Sequence, residues 1–188
     1  SGLVADRIQW QSQRSGLLTA TVGLIGRGEA VAATTAAGTL TDATLPLQRF
    51  GNFQGSITRN GAALGNIVSA QVSYANNLDR IETIRNDGLL EGLDPSMAAL
   101  TGSIEARFAD LTLVNQAIAG DPCELVFAWS LGANASLTFT VHAAYLPRPR
   151  IPINGPQGVQ ATFEWQAARA TSPARMCTAV LVNTTASY

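Results

Sequence analysis

Hydrophobic and polar residues alternate strictly in two segments near the C-terminal end of the chain. In the first segment, one face carries Leu137, Phe139, Val141, Ala143 and Tyr145, and the other carries Ser136, Thr138, Thr140 and His142. In the second, Val159, Ala161, Phe163, Trp165 and Ala167 alternate with Gln160, Thr162, Glu164 and Gln166. A period of two residues predicts β-strands with one face on a core and the other in water.

Shorter runs of strand-forming residues predict further strands along the chain. They are Leu3–Trp10, Leu17–Gly26, Gly55–Arg59, Leu64–Asn76, Leu100–Phe108, Cys123–Leu131 and Met176–Asn183. Asn60 and Gly61 predict a tight hairpin turn, because both residue types accept positive φ angles. The sequence therefore predicts a mainly β fold, a β-sandwich or barrel of about eight to nine antiparallel strands, in a single domain over residues 1–188.

One segment has helical rather than strand periodicity. Asp110 is placed to cap a short helix over Leu111–Ala119, and Gly120 is placed to end it. One face of this helix carries, at helical spacing, Leu111, Val114, Ala117 and Ile118. We expect the helix to flank the sheets with this apolar stripe against the core.

Three segments fit neither pattern. Glu29–Leu45 is mostly Ala, Thr and Gly, and predicts a flexible arm with weak strand character around Gly38–Asp42. Asn77–Met97 carries seven of the 25 charged residues (12 basic and 13 acidic), and predicts a projecting loop or extended hairpin. A proline-rich linker joins the two alternating segments near the C-terminal end and carries Arg148 and Arg150. It predicts a stiff connector, or a strip on which a partner docks.

Composition narrows the classes of partner. Charged residues make up 13% of the chain, roughly half the usual share, so uncharged polar residues cover the wet strand faces. Such faces often meet other protein. The net charge of −1 gives no global field that would hold nucleic acid or an anionic membrane. No apolar run is long enough to span a membrane, and two cysteines are too few for a disulfide-rich fold.

No arrangement of residues suited to catalysis or metal binding is visible. His142 is the single histidine, and no second His, Cys or Asp stands at ligand spacing from it. As a general base it would need a nucleophile and an orienting partner, which the sequence does not indicate. Asn86–Asp94 lacks the alternating acidic positions of a calcium loop, and Gly23, Gly26 and Gly28 lack the spacing of a nucleotide-binding turn. We therefore expect neither enzymatic activity nor a cofactor.

Several stretches resemble one known family. They are GLLTATVGLIGRGEA, GSITRNGAALGNIVSAQVSYANNLDRIETI, LTGSIEARFADLTLVNQAIAG, SLTFTVHAAYLPRPRIPINGPQGVQATFEWQAA and MCTAVLVN. Spread from about Leu17 to Asn183, they resemble the tail tube proteins of long-tailed bacteriophages and prophages. The most specific motifs are YANNLD, RFAD before the helix, and LPRPRIPINGPQGVQATFEWQ.

This resemblance implies a structural protein of the virion tail, made in the bacterial cytoplasm. In the family, subunits join by sheet edges into hexameric rings, and the rings stack into a tube through which DNA leaves the virion. The implied partners are further copies of the chain, other tail proteins such as tape measure, terminator and distal tail proteins, and DNA that passes without specific binding. No membrane insertion is implied. Members of the family are longer, so the chain is expected to lack an N-terminal portion.

The resemblance also implies that long loops and arms join neighbouring subunits and rings. The arm is Glu29–Leu45, and the candidate residues of the projecting loop are Asn77, Asp79, Arg80, Glu82, Arg85, Asp87, Glu91 and Asp94. Arg148 and Arg150 are the candidates in the connector.

Two other functions stay open at this point. A tail-tip β-sandwich that binds carbohydrate or a host surface would expose an aromatic platform, for which Trp129 and Trp165 are the candidates. An enzyme that uses His142 would have a concave pocket around that residue.

Overall fold

The structure, a computed structural model, describes residues 2–31, 33–34, 48–107, 111–149 and 160–184. Twelve strands lie in these residues: β1 Leu3–Gln13, β2 Thr19–Gly26, β3 Gly55–Arg59, β4 Ala62–Ala63, β5 Ile67–Ala75, β6 Asp79–Ile81, β7 Gly92–Asp94, β8 Ala99–Arg107, β9 Cys123–Ser130, β10 Ser136–Tyr145, β11 Gln160–Ala167 and β12 Cys177–Val182. The one α-helix among them, α1, spans Thr112–Ala119, and a short 3-10 helix spans Asn52–Gln54.

Ten of the strands form one antiparallel sheet, in the order β2-β1-β5-β8-β11-β10-β9-β3-β4, with β12 paired to β10. β6 and β7 form a separate two-stranded sheet. The predicted mainly β fold with antiparallel strands and one short helix is confirmed. The strand count exceeds the predicted eight to nine because β4, β6 and β7 are only two or three residues long, too short to show alternation. Over the described strands, the sheet does not close into a barrel.

The large sheet folds over at β10 and β11, which share only two residue pairs. We call β2-β1-β5-β8-β11 the first layer and β4-β3-β9-β10-β12 the second layer. Their inner faces meet through aromatic side chains. The ring centroids of Trp10 and Phe139 lie 5.0 Å apart, and those of Phe127 and Trp165 lie 6.1 Å apart. The hydrophobic core therefore lies between the two layers.

The alternating pattern of β11 is confirmed, and that of β10 is confirmed only in part. Ala161, Phe163, Trp165 and Ala167 are buried, whereas Gln160, Thr162, Glu164 and Gln166 are exposed. Val159 lies outside the described residues. In β10 the register against β9 shifts between Val141 and Ala144, so Ala143 and Ala144 are both buried. Such a bulge reverses the faces of the residues that follow it. Tyr145 is therefore exposed, and its predicted inward position is wrong.

The Asn60-Gly61 turn is present, but the hairpin around it differs from the prediction. Both turn residues have positive φ angles, of 48° and 77°. The turn connects β3 to the two-residue strand β4, which pairs with it. The chain then breaks from strand conformation at Asn66, whose φ is 60°, before β5 begins. β5 then pairs with β1 and β8 in the first layer. The predicted strand Leu64–Asn76 is therefore shorter, and it does not pair with β3.

The predicted end of the helix is correct, and the predicted apolar stripe is correct only in part. Gly120 has a φ of 72° and donates its N–H to the carbonyl oxygen of Gln116. The buried residues of α1 are Leu113, Gln116 and Ala117. From the predicted stripe, Ala117 is buried and Val114 packs against the core, whereas Leu111 and Ile118 are exposed. The predicted cap Asp110 lies outside the described residues, as does Phe108, the last residue of the predicted strand Leu100–Phe108.

The error has a physical cause in Gln116, which is polar and yet buried. Its Nε2 donates to the carbonyl oxygen of Asp121 at 2.7 Å, and its Oε1 accepts from a guanidinium nitrogen of Arg59. A buried polar group is tolerated when its hydrogen bonds are made. A pattern based on apolar residues alone therefore could not place Gln116 on the buried face of the helix.

Only part of the predicted arm Glu29–Leu45 can be located. Residues 29–31 and 33–34 belong to no helix or strand. The rest of the arm, including Gly38–Asp42, lies outside the described residues, as does Arg150 in the connector.

Candidate assembly surfaces

Residues 77–97 form a hairpin that is fastened to β1 at its base. The backbone N–H of Leu78 donates to Oδ1 of Asp6 at 2.9 Å. Nδ2 of Asn77 donates to the carbonyl oxygen of Met97, also at 2.9 Å, and so ties the two ends of the hairpin together. Asn77 has a φ of 51°, a conformation that Asn adopts more readily than most residues.

Three of the candidate charged residues brace the tip of this hairpin. Arg85 pairs with Asp87, with Nη2 2.7 Å from Oδ2 and Nε 2.8 Å from Oδ1, and it also pairs with Glu91. The backbone N–H of Leu89 donates to Asp87 at 3.1 Å. The hydrogen bonds from Arg85 and then from Leu89 hold the pKa of Asp87 well below its usual range. These charges therefore hold the shape of the loop itself.

A pH titration tests this bracing. A carboxyl with a lowered folded-state pKa contributes stability above its ordinary pKa of 3.8, and loses it as the pH falls through the folded-state value. The amide resonance of Leu89 is therefore expected to stay unchanged from pH 7 to pH 4 and to move only in stronger acid. In an Arg85→Gln control the transition should occur at higher pH. A midpoint at or above 3.8 in the parent chain contradicts the bracing.

The other four charged candidates make no side-chain hydrogen bond or ion pair with any described residue. They are Asp79, Arg80, Glu82 and Asp94. Asp79 and Asp94 stand directly opposite each other in the β6–β7 ladder. Like charges at opposite positions destabilise a strand pair, so this end of the hairpin presents an uncompensated negative surface. Arg148 of the connector is exposed.

The hairpin also exposes two large apolar side chains that sequence reasoning did not single out. Ile84 is fully exposed and Met97 is 85% exposed. On its other side the hairpin rests on the end of β2, where the N–H of Leu90 donates to the carbonyl oxygen of Arg27 at 3.1 Å. The only sequence signal for Ile84 is an isolated apolar residue within a charged segment.

The outward side of the first layer is a polar face that crosses all five strands. Three rows of paired residues run across it: Thr19-Gln11-Gln71-Ser103-Glu164, Thr21-Gln9-Ser73-Thr101-Gln166 and, over four strands, Gln13-Ser69-Glu105-Thr162. Two carboxylates, Glu105 and Glu164, are the only charges in these rows. Oγ of Ser69 donates to Glu105 at 2.9 Å. At about 4.8 Å per strand, five strands give a smooth polar wall about 20 Å wide.

β2 and β12 each have one edge that no described strand covers. Both strands also carry exposed apolar side chains, among them Val22 and Leu24 in β2 and Val180 and Leu181 in β12, all 48–56% exposed. Open, apolar edge strands invite pairing with another chain. Runs of strand-forming residues predicted both strands, but they gave no sign that the strands would lie at edges.

His142 links two strands of the second layer and lies close to a third. Its Nε2 lies 2.8 Å from Oγ1 of Thr178 in β12, and its Nδ1 lies 3.9 Å from Oε2 of Glu124 in β9. Neither the cleft of about 380 Å³ beside Trp129 nor the cleft of about 480 Å³ beside Arg59 includes His142. This cluster, which we call the His142 clasp, therefore connects strands on a sheet surface and lines neither cleft.

The two tryptophans considered as a carbohydrate platform lie in the core. Trp129 is 4% exposed and Trp165 is 2% exposed. No group of three or more His, Cys, Asp and Glu side chains suited to a metal ion occurs in the described part of the chain. Among the same residues, no helix is both long and apolar enough to cross a membrane.

Sequence and fold comparisons assign the chain to a family. The family model described as phage tail tube protein matches residues 1–167. The chain belongs to the phage tail tube protein family. No curated protein matches it. Among solved structures, the chain is similar to the tube-terminating cap of the anti-feeding prophage, with a TM-score of 0.50 and 12% identity over 79% of this chain and 100% of that one. At this identity the likeness concerns the fold alone.

The resemblance predicted from the sequence is thus confirmed. Membership of the tail tube family makes the chain a structural component of a phage-type tail. It also implies assembly with further copies and with other tail proteins. The matched residues end at Ala167, the last residue of β11, so β12 lies beyond them.

Proposed function

We propose that the chain is the repeating subunit of a tail tube, that it forms hexameric rings, and that the rings stack around a lumen that conducts DNA. The observation that carries this proposal is the polar face of the first layer. A strongly basic wall would hold phosphates, whereas this wall is mostly amides and hydroxyls. Its charges balance, with Glu105 and Glu164 in the rows and Arg7 and Arg107 at their ends, so it offers DNA no basic surface to bind tightly. We assign this face to the lumen.

The exposed edge of β2 supports closure of the ring. An unpaired apolar edge is a liability in a monomer, and a closed ring of identical subunits leaves no such edge free. The apolar side chains Val22 and Leu24 would then be covered by the neighbouring subunit. The arm Glu29–Leu45, which follows β2 directly, is the proposed link to the same neighbour.

The hairpin 77–97 is the proposed joint between stacked rings. Ile84 and Met97 supply apolar surface for the contact, because desolvated apolar side chains at the centre of an interface carry most of its affinity. The negative surface at Asp79 and Asp94 requires a cation in the partner. Arg148 of an adjacent subunit is the proposed source, because it is exposed.

The variant Ile84→Asp tests the ring joint. Burying an unpaired carboxylate in an interface costs several kcal/mol, so tube formation is expected to fall at least tenfold. The fold should not change, because the side chain of Ile84 is fully exposed. Tube yield after sedimentation and the thermal midpoint of the monomer measure the two effects.

Ile118→Asp is the matched control, since Ile118 is 58% exposed on α1, away from the proposed surfaces. It should form tubes as the parent does. Equal tube yields for Ile84→Asp and the parent would show that Ile84 does not take part in the contact between rings.

Native mass spectrometry and light scattering of the full chain test ring formation itself. A concentration-dependent species with six times the 19.7 kDa subunit mass is the expected result. A chain that stays monomeric at all concentrations, even with its tail partners present, contradicts the proposal. A stable ring with another number of subunits would support the tube and show that its symmetry is not six-fold.

A further inference from the structure

β12 stands apart from the rest of the second layer. It follows the last residue matched by the family model, and it pairs with β10 over six residues, from Ser136 opposite Val182 to Val141 opposite Cys177. Ala179 to Val182 are all exposed, and only Cys177 and Thr178 are half-buried. Few buried apolar contacts therefore hold β12, which is typical of segments that open locally at low free energy.

The connection between β11 and β12 leaves room for movement. Both strands lie along the same edge of β10, where Ala168 donates its N–H to Ala143 and His142 donates its N–H to Met176. Between these two bonds, residues 169–175 leave the sheet. Their hydrogen bonds to described residues are internal, among them Ala170 N–H to the carbonyl oxygen of Arg175 at 3.2 Å. Seven extended residues span at most about 25 Å, so this connection can lengthen without breaking a bond to the sheet.

Two features of β10 select β12 over an unrelated strand. The register of the six pairs places apolar opposite apolar on the inner face, with Leu137 opposite Leu181. On the outer face, the His142 clasp receives Thr178 at 2.8 Å. A β12 strand from another copy would satisfy the same register and the same clasp.

We propose that β12 is exchanged between subunits, so that in the assembled protein β12 of one copy pairs with β10 of the next. The inference rests on the proposed self-assembly. Exchange keeps every hydrogen bond of the observed β10–β12 pair and converts it into a link between copies. The His142 clasp then becomes an interface element, which gives a role to the single histidine.

A disulfide trap tests the exchange in the full chain. Leu137→Cys and Leu181→Cys place two thiols directly opposite each other, within reach of a disulfide. Oxidation after assembly is expected to give covalent multimers on a non-reducing gel. Oxidation of the monomer before assembly closes the bond within one chain, and should lower assembly at least tenfold until a reductant is added.

The single variants Leu137→Cys and Leu181→Cys are the controls, because they report any bond to the native Cys123 and Cys177. The pair Thr138→Cys and Val180→Cys, on the outer face of the same strands, is a second trap if the first lowers the stability of the monomer. Circular dichroism shows which trap retains the fold.

The outcomes separate the two proposals. Only monomer-sized protein after oxidation of assembled material, together with normal assembly of the locked monomer, overturns the exchange and leaves the tube intact. A parent chain that does not assemble at all overturns the proposed function, and the exchange with it.

Discussion

Gly102→Ala is expected to destabilise the fold by about 3 kcal/mol or more, because the site has no space for a methyl group. Gly102 lies in the middle of β8, opposite Val72 on one side and Trp165 on the other. A Cβ atom there would stand 2.1 Å from the carbonyl oxygen of Gln71 and 2.3 Å from the indole ring of Trp165. The first contact is with backbone, so relief requires that two central strands of the first layer move apart.

Chemical denaturation measures the loss. Gly23→Ala is the matched control, since Gly23 is also a strand glycine and its added Cβ would meet ordinary contacts at 3.7 Å and beyond. It is expected to be neutral or slightly stabilising. Adding Trp165→Phe to Gly102→Ala should rescue the fold only in part, because the clash with Gln71 remains. A Gly102→Ala variant as stable as the parent would show that the two strands are not packed as described.

Trp165→Ala is expected to cost about 3–5 kcal/mol, the range for emptying a large aromatic site in a core. Trp165 is 2% exposed, stacks on Phe127 and covers Gly102. Tyr145→Ala is the matched control in a neighbouring strand. Because Tyr145 is 43% exposed, its loss should cost less than about 1 kcal/mol. A denaturation midpoint for Trp165→Ala within error of the parent would mean that β11 presents its other face to the core.

Trp165→Phe separates volume from polarity at the same site. The indole N–H of Trp165 is buried and has no hydrogen-bond partner among the described residues. An unsatisfied buried donor costs about 1–3 kcal/mol, so its removal should offset part of the lost packing. Trp165→Phe is therefore expected to lower the free energy of unfolding much less than Trp165→Ala. If Trp165→Phe lowers the free energy of unfolding as much as Trp165→Ala does, the indole N–H does have a hydrogen-bond partner.

The alternation of β10 and β11 predicted the architecture because a sheet packed on one face imposes a period of two residues on the sequence. The same reasoning failed where local structure broke that period. The bulge after Val141 turned Tyr145 outward, and the polar Gln116 takes a place on the inner face of α1 that an apolar pattern does not include. Neither feature has a hydrophobic signature, since each depends on hydrogen bonds made with other elements.

The candidate assembly surfaces, like the fold, could be predicted from the sequence only in part. The charge content of residues 77–97 marked that segment as distinct, but the ion pairs of Arg85 with Asp87 and Glu91 depend on the turn between them. The edge positions of β2 and β12, and the rows of the polar face, follow from strand order. Strand order is set by long-range pairing, which the residue pattern of a single strand does not encode.

Electron cryomicroscopy of tubes assembled from the full chain would show where the first layer lies. We expect stacked six-fold rings with the row from Thr19 through Ser103 to Glu164 facing the lumen, and the hairpin 77–97 of one ring in contact with the next. A tube in which the polar face of the first layer points outward, or the absence of any tube in the presence of the tail partners, would contradict this assignment.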